Sequence, residues 1–249
     1  MENFKFNINN KFKNFENYIE NIKKYFVKSQ NIIHKARNEI KVINYENKDF
    51  VVKSFKIPNF INKIVYTFFR STKAKKSYEY SLKIGEFTPI PIGYIEFYEK
   101  SLLNESYFIS EKFDYDFTIR EPIRDKEFFN KNNIFKAFAK FTFDLHNNHI
   151  YHLDYSPGNI LIKKDNNDYI FKVVDINRMK FLNMNINLRM KNFSKLWIND
   201  EDLKVIIKEY AKLWEKDENE LVSKALKFSQ KHKAKINLKK RLRGQEVVD

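Results

Sequence analysis

Two short motifs constrain the fold of this chain more than any other feature. They are HLDYSPGN (residues 152–159), which has the spacing H-x-D-x-x-x-x-N, and VVDIN (residues 173–177). Proline and glycine inside the first motif predict a tight turn with Asp154 and Asn159 at its two ends. An apolar strand over 160–162 and a β-branched run before Asp175 predict a hairpin joined by a polar turn. Asp154, Asn159 and Asp175 are therefore expected to converge.

Two aspartates and an asparagine at this spacing are typical of a phosphoryl-transfer site of the protein-kinase type. Asp154 would accept the proton of the attacking hydroxyl, while Asn159 and Asp175 would hold Mg²⁺ against the phosphates of ATP. The same residue types also cluster in ordinary turns, so the loop alone leaves both interpretations open. The hairpin that ends at Asp175 favours catalysis. His152 is interpreted as structural, because a histidine in such a loop more often holds the backbone than reacts.

An ATP site of this type also needs a lysine on a strand and a glutamate on a helix. Residues 49–55 (DFVVKSF) have the composition of a strand, and Lys53 within them is the candidate for the α- and β-phosphates. Residues 73–84 have helical spacing, and Glu79 is the candidate that orients Lys53. The alternatives are a solvated lysine on an edge strand and a surface ion pair of Glu79 with a lysine one turn away.

Five stretches of the sequence resemble the bacterial lipopolysaccharide kinase (Kdo/WaaP-type) family, whose members are small relatives of the protein kinases. The stretches are RNEIKV (37–42), VVKSFKIPN (51–59), YEYSLKIGEFTPIPIGYIE (78–96), HLDYSPGNILI (152–162) and VVDINRMKF (173–181). The most specific part is Asp175-x-Asn177-Arg178, which replaces the Asp-Phe-Gly of protein kinases. The resemblance extends over residues 31–196.

The resemblance implies an α+β, two-lobed protein-kinase-like fold with a small β-rich N-lobe and a helical C-lobe. It implies Lys53 for the phosphates, Glu79 for orienting Lys53, Asp154 as the catalytic base, and Asn159 and Asp175 as Mg²⁺ ligands. The implied cofactors are ATP and Mg²⁺. The implied acceptor is a sugar hydroxyl of the lipopolysaccharide inner core, either Kdo or heptose.

The chain departs from the kinase pattern at the loop that covers the phosphates. Kinases use a glycine-rich loop whose backbone N–H groups approach the oxygens closely, whereas this chain has no glycine between residues 30 and 48. The candidate turn is 33–38, where Lys35 or Arg37 would supply positive charge instead. The hinge that meets adenine is expected over 109–116, which includes Glu111. A kinase-like binding module without activity remains an alternative.

The whole chain, residues 1–249, is predicted to be one kinase-like domain. An N-terminal helix is expected within 1–29, the N-lobe over 30–110 and the C-lobe over 111–249. Five residues at helical spacing predict the buried face of the first helix: Phe12, Phe15, Ile19, Ile22 and Phe26. Further helices are predicted over 125–147, 201–216 and 219–233.

The C-lobe sequence favours a small or glycan acceptor over a protein. Few residues follow Asp175, and no Ala-Pro-Glu motif occurs among them, so that a peptide platform would be hard to fit. Arg178 and Arg189 would either bind an anionic acceptor or pair with acids inside the lobe. A kinase of another small molecule or of protein side chains is the alternative function.

The formal net charge of +15 would draw the protein to anionic lipid head groups or acidic glycolipids. Residues 73–76 and 231–243 are basic runs, each of which is either a solvated helix face or a contact surface. The second run is interrupted by Ile236, Leu238 and Leu242, which makes it the better candidate for peripheral contact with the inner-membrane surface. A nucleic-acid partner is not expected, because only the charge supports one.

Other features exclude whole classes of function. The chain has no cysteine, which rules out disulfides and thiolate chemistry. No apolar run reaches the ~18 residues of a membrane span, and the first residues lack an apolar signal core, which predicts a cytoplasmic protein. His146 and His149 are three residues apart and are expected to pack or cap rather than to bind a metal.

Overall fold

A computed structural model describes residues 3–36, 38–166 and 168–247 of the chain. The chain forms two compact units, Met1–Phe113 and Asp114–Asp249. The boundary falls inside the segment that the sequence predicts as the hinge. The first unit is rich in strands and the second in helices, which confirms the predicted distribution of secondary structure.

The first unit is built on an antiparallel sheet. Its strands are β1 (Asn3–Ile8), β2 (Ile32–Lys35), β3 (Glu39–Tyr45), β4 (Lys48–Phe55), β5 (Pro91–Glu99) and β6 (Leu102–Glu111), and its helices are α1 (Glu16–Glu20), α2 (Ile22–Lys28), α3 (Phe60–Ile64) and α4 (Lys73–Ile84). Among the described residues the strand order is β1-β5-β6-β4-β3-β2. A 3-10 turn, Asn10–Phe15, precedes α1, and a π-helical turn, Val65–Phe69, continues α3.

Different helices cover the two faces of this sheet, because successive side chains of a strand point to opposite faces. On β4, Phe50 and Val52 face the N-terminal helical segments, where all five residues of the predicted apolar face are buried. Phe55 faces the other way and packs with Ala74 and Tyr78 of α4. The sheet thus has an apolar core on one side and a smaller one under α4.

The N-terminal region differs from the single helix that the sequence predicts. It begins with β1, which pairs with β5, and its helical part is divided into the 3-10 turn, α1 and α2. Asn21 separates the two helices with a backbone φ of −96° and ψ of 14°, and its side chain donates to the carbonyl of Asn17 at 2.9 Å. Gly93 on β5 leaves room here, since a Cβ would lie 2.6 Å from both Asn7 O and Ile19 Cδ1.

The second unit carries the predicted motif loop between two strands. Its strands are β7 (Phe117–Thr118), β8 (Ile150–His152), β9 (Ile160–Asp165), β10 (Asp168–Val173) and β11 (Met179–Phe181), and its helices are α5 (Arg120–Arg124), α6 (Lys131–Asn147), α7 (Ile186–Phe193), α8 (Asp200–Trp214) and α9 (Glu218–Arg241). Strands β9 and β10 pair antiparallel, so the predicted hairpin is confirmed.

Two helices of this unit depart from their predicted limits. Helix α6 begins at Lys131 instead of residue 125, because Asn130 has a left-handed backbone with a φ of 59°. Helix α9 continues to Arg241 and therefore includes most of the basic run. No helix in the described part of the chain is both long and apolar enough to cross a bilayer.

Candidate functional site

The loop between β8 and β9 holds Asp154 and Asn159 in the predicted relation. The Asn159 side chain donates to the backbone carbonyl of Asp154 at 2.9 Å. The Asn159 N–H donates to Ser156 O at 2.9 Å and closes the 3-10 turn Pro157–Asn159. The carbonyl of Asn159 accepts from the N–H of Val174 at 2.9 Å. Asp175, the next residue, is therefore tied to the same loop.

Asp175 adopts a left-handed backbone, with φ 58° and ψ 44°, where the chain leaves β10 for the turn Ile176–Arg178. Aspartate and asparagine tolerate this region better than most residues. Asn177 fixes the carboxylate by donating to Asp175 Oδ1 at 2.7 Å. The second motif thus turns sharply at its aspartate, and the asparagine that the family resemblance singles out orients that carboxylate.

His152 is buried behind the loop and joins its two halves. Its Nδ1 accepts from the N–H of Asp154 at 3.1 Å, and its Nε2 lies 3.0 Å from the carbonyl of Val174. A backbone N–H only donates and a carbonyl only accepts, so the ring is neutral and carries its proton on Nε2. Burial lowers the pKa of His152, which supports the same state. The structural role predicted for His152 is confirmed.

A second buried histidine extends this network into the helices. His146 Nε2 lies 3.0 Å from Asn192 Oδ1, and His146 Nδ1 lies 2.9 Å from the hydroxyl of Tyr210. The amide of Asn192 in turn donates to the carbonyl of His152 at 2.9 Å. Helices α6, α7 and α8 therefore position the motif loop through one chain of hydrogen bonds. His146 packs in the core, as the sequence predicts.

Arg189 belongs to this structural network and not to an acceptor site. It donates to Asn147 Oδ1 at 2.9 Å and to the hydroxyl of Tyr210 at 3.0 Å. Its guanidinium carbon lies 4.2 Å from the centre of the Trp214 ring, a cation–π contact. Of the two roles that the sequence leaves open for Arg189, the structure supports an internal one, with neutral partners instead of acids.

We expect the free energy of unfolding to fall as the pH drops below about 6.5. Burial lowers the pKa of His146 from 6.5 to about 3. At a pH between these values the unfolded chain binds a proton at this residue and the folded chain does not. Between these two values the loss is about 1.4 kcal/mol per pH unit for this residue. Burial of His152 acts in the same direction. Urea denaturation at pH about 7.5 and about 5.5 measures the effect.

The control for this pH dependence is His146→Gln, which has no titrating group at the position. The variant is less stable at neutral pH, because part of the hydrogen-bond network is lost. Its free energy of unfolding should nevertheless change less with pH than that of the wild type. An identical pH slope in the two proteins would show that His146 titrates normally.

Basic side chains gather around Lys195, whose charge also interacts with Asp154, and we call them the basic cluster. Its members come from the turn after Asp175, from α7, from the turn Ser194–Leu196 and from α9: Arg178, Lys191, Lys195, His232 and Lys235. Burial lowers the pKa of Lys195, the neighbouring positive charges add to the lowering, and Asp154 opposes it. Burial and two lysines of the cluster also lower the pKa of His232. An anion placed here would relieve this repulsion.

Sequence reasoning found Arg178 as a candidate acceptor contact, and it found His232 and Lys235 only as part of the basic run 231–243. The members come from segments far apart along the chain, and α9 packs against both α7 and the turn that carries Lys195. The rings of Trp197 and His232 are 6.3 Å apart at this junction. Lysine is so abundant in this sequence that no local pattern distinguishes these residues.

In the first unit, Lys53 lies on the sheet face that α4 covers. Lys53 pairs with Phe108 on β6, and Phe108 pairs with Tyr94 on β5. Cross-strand neighbours share a face, and Phe108 and Tyr94 both pack in the core under α4. Lys53 Nζ also lies 5.4 Å from the centre of the Phe55 ring. The alternative of a lysine on an edge strand is wrong, because β4 is an inner strand of the sheet.

Glu79 lies on α4 with its carboxylate 3.9 Å from Lys75 Nζ, an ion pair of the kind that the sequence left open. The Glu79 carboxylate also interacts electrostatically with Tyr94, which lies on the same sheet face as Lys53. Burial raises the pKa of Tyr94 to about 12, and Glu96 and Glu79 add to that rise. Helix α4 and β4 thus carry both residues on facing surfaces, and the pairing of Lys53 with Glu79 stays a prediction.

The remaining predicted nucleotide contacts lie at strand ends. Lys35 ends β2, is exposed and has its Nζ 3.8 Å from Glu39. Arg37 lies outside the described residues. Glu111 ends β6, and its N–H donates to the carbonyl of Ile90 at 2.9 Å. Strands β2 and β3 pair antiparallel and form a glycine-free hairpin. Residues 33–35 of the predicted turn belong to β2.

The side chains of Asn159 and Asp175 fit Mg²⁺ by their chemistry, because Mg²⁺ prefers oxygen ligands. In the described residues no group of three or more histidine, aspartate or glutamate side chains could hold a metal ion. Mg²⁺ usually keeps several waters and is bound by one or two protein groups together with substrate phosphates. The pair is therefore suited to a metal that arrives with a nucleotide.

The strand-rich unit and the helical unit with its motif loop give the chain a kinase-like α+β fold. The solved structure titled "WaaP in complex with acyl carrier protein" matches it with a TM-score of 0.58 and 14% sequence identity. The match covers 92% of this chain and 99% of the chain it is compared with. No protein-family model and no curated protein matches the sequence. The predicted fold is confirmed, and the matching protein bears a name of the family that the sequence resembles.

Proposed function

We propose that the protein is an ATP- and Mg²⁺-dependent kinase that phosphorylates a sugar hydroxyl, Kdo or heptose, of the lipopolysaccharide inner core. The observation that carries the proposal is the motif loop of a kinase-like fold, in which Asn159 is hydrogen-bonded to Asp154 and to Val174, the residue before Asp175. The family resemblance of the motifs supports the choice of acceptor.

In the proposed reaction, Asp154 accepts the proton of the acceptor hydroxyl while the hydroxyl oxygen bonds to the γ-phosphorus of ATP. The bond between that phosphorus and the β–γ bridging oxygen breaks, and ADP leaves. Asn159 and Asp175 would hold Mg²⁺, which would neutralise charge on the phosphates. Asn177 keeps the Asp175 carboxylate in place. His152 fixes the loop from behind without exchanging a proton. Catalysis would rest on positioning and electrostatics.

The first unit is proposed to supply the nucleotide contacts. Lys53 would bind the α- and β-phosphates, and Glu79 would orient it. Lys35 and Arg37 would contribute charge where a glycine-rich loop is absent, and the backbone around Glu111 would meet adenine. The glycine-free hairpin is also the observation that favours a second candidate function, a kinase-like binding module without activity.

The basic cluster supports an anionic acceptor. A carboxylate such as that of Kdo would accept hydrogen bonds from Lys195 and Arg178 next to the proposed base. This role would explain why Lys195, whose charge interacts with Asp154, has three further positive side chains near it. We propose a lipopolysaccharide core glycolipid as the acceptor and a cytoplasmic location with peripheral contact to the inner membrane.

Transfer of radiolabelled phosphate from ATP to Kdo- and heptose-containing glycolipids tests the function. In this assay Lys195→Gln should raise KM for an anionic acceptor about tenfold or more, because a charge-assisted hydrogen bond is lost. The kcat should change little, since the lysine binds the acceptor and does not react. Lys216→Gln, at an exposed lysine on the same unit, is the matched control.

Three results would contradict parts of this assignment. An unchanged KM in Lys195→Gln would remove the basic cluster from the acceptor site. Transfer to other small molecules or to protein, with none to glycolipid, would favour the alternative kinase. ATP binding without transfer to any acceptor would favour the binding module.

A further inference from the structure

The segment between β4 and α4 exposes an unusual amount of apolar surface. Helix α3 and the π-helical turn that continues it form one short helical stretch, Phe60–Phe69. Its outward side chains, together with one residue before it, are Ile57 (46% exposed), Phe60 (68%), Ile61 (71%), Phe68 (65%) and Phe69 (81%). We call these five residues the apolar ridge. A large exposed apolar patch usually marks an interaction surface.

The opposite side of the same stretch is fixed to the sheet. Lys63 Nζ donates to Asn104 Oδ1 at 2.8 Å. The hydroxyl of Thr67 donates to Lys63 O at 2.6 Å and accepts from the N–H of Leu103 at 2.9 Å. The stretch is therefore attached to β6 through its polar side. Its polar side chains are hydrogen-bonded to the sheet, and its apolar side chains therefore point outward.

The charge around the apolar ridge has one sign. Residues 53–78 contain lysine and arginine but no aspartate or glutamate, and Lys56 and Arg70 at the two ends of the ridge are exposed. Two carboxylates approach from neighbouring elements. Glu79 on α4 pairs with Lys75, and buried Glu96 accepts hydrogen bonds from Thr72 and Tyr98. The exposed charged residues at the two ends of the ridge, Lys56 and Arg70, are therefore both positive, and we call them its positive rim.

An open cavity of about 360 Å³ lies between the stretch and the sheet. Its lining includes Lys56, Lys73, Asn62 and Tyr66 and no acidic side chain. A cavity with lysine and hydroxyl donors beside an exposed apolar ridge has the chemistry to receive a lipid phosphate next to acyl chains.

We propose that the apolar ridge docks this protein on an anionic bilayer surface. The three phenylalanines and two isoleucines would enter the boundary between head groups and acyl chains, and Lys56 and Arg70 would bind lipid phosphates. A bilayer fits better than a protein partner, because the ridge is short and the exposed charged residues at its two ends, Lys56 and Arg70, are both positive. This surface goes beyond the proposed kinase activity and does not depend on it. It would bring the enzyme to lipid-linked acceptors.

Co-sedimentation with vesicles of phosphatidylcholine, with and without phosphatidylglycerol, tests the proposal. The wild type should bind the anionic vesicles, and added salt should weaken the binding. Phe68→Ser/Phe69→Ser should lower the partition coefficient at least about tenfold, because two aromatic side chains no longer enter the interface. The matched control is Phe129→Ser, which alters a side chain of similar exposure, 84%, on the other unit.

The positive rim is tested by Lys56→Glu/Arg70→Glu, which should weaken binding to anionic vesicles about tenfold or more. Lys11→Glu/Lys216→Glu changes the net charge equally at exposed positions on other elements of the chain and should have a smaller effect. Equal effects of the two pairs would show that only net charge matters and would overturn the role of the rim.

Two further outcomes would overturn the proposal as a whole. One is vesicle binding that survives Phe68→Ser/Phe69→Ser but is lost in Leu238→Ser/Leu242→Ser, which would assign the contact to exposed residues at the end of α9. The other is no vesicle binding together with a self-association that the double phenylalanine variant abolishes. Each readout is a binding measurement, so failure of the kinase proposal leaves the result interpretable.

Discussion

Replacing Asp154 by asparagine is expected to lower kcat about a thousandfold while ATP binding is retained. The substitution removes the carboxylate that accepts the proton of the acceptor hydroxyl and keeps the size of the side chain. The hydrogen bonds that shape the loop use the Asp154 main chain, since its N–H donates to His152 and its carbonyl accepts from Asn159. The fold of the loop should therefore survive. Steady-state transfer rates and calorimetric titration with ATP measure the two parts of the prediction.

Asp165→Asn is the matched control, because it makes the same chemical change at an exposed aspartate on the hairpin that follows the loop. Its kcat should equal that of the wild type. Normal turnover in Asp154→Asn would assign the proton transfer to another group. Loss of ATP binding in the same variant would mean that Asp154 supports the nucleotide site rather than the acceptor.

The central part of the candidate site could be predicted because its information is local. Asp154, Asn159 and Asp175 lie within a short span of sequence, and turn residues and a hairpin bring them together. A proline–glycine pair and a β-branched run are strong signals for such elements. The hydrogen bonds of Asn159 to Asp154 and to Val174 are the direct result of that local chain geometry.

The hydrogen bonds that support this site could not be predicted, because they join distant segments. His146, Asn192, Arg189 and Tyr210 lie on three helices, and nothing in the local sequence indicates that they contact one another. The basic cluster is harder still to predict, since α9 alone contains many lysines. Only tertiary packing decides which of them lies near Lys195.

The N-terminal strand shows how pairing over long distances overrides local pattern. Residues 3–8 alternate between exposed and half-buried positions, but a strand of this length is stable only when a partner is available. The partner is β5, which begins only at Pro91, and Asn3 faces Tyr98 across the pair. Helix α4 was easier to predict from the sequence, because its end is marked locally. Gly85 ends the helix with a φ of 56°, a conformation that favours glycine.

Replacing Asp175 by asparagine is expected to remove the Mg²⁺-dependent part of ATP binding. The change replaces the charged oxygen ligand with a neutral amide of the same shape. Loss of a residue that hydrogen-bonds to a metal ligand typically lowers metal affinity about ten- to a hundredfold. Loss of the ligand itself should therefore weaken Mg²⁺-dependent binding at least about a hundredfold. Asparagine tolerates the left-handed backbone at this position, so the turn should keep its shape. Calorimetry with ATP, with and without Mg²⁺, measures the effect.

Asn177→Ala separates the ligand from its support, because Asn177 only orients the Asp175 carboxylate by a hydrogen bond of 2.7 Å. This variant should show a weaker Mg²⁺ response, between the wild type and Asp175→Asn. Asp168→Asn, at an exposed aspartate at the start of β10, should behave like the wild type. If Asp175→Asn retained the full Mg²⁺ response, the metal would be held elsewhere, and the assignment of the second motif would have to be abandoned. If the wild type bound ATP equally with and without Mg²⁺, the second candidate function would be favoured. The protein would then be a kinase-like binding module without activity, as the glycine-free hairpin suggests.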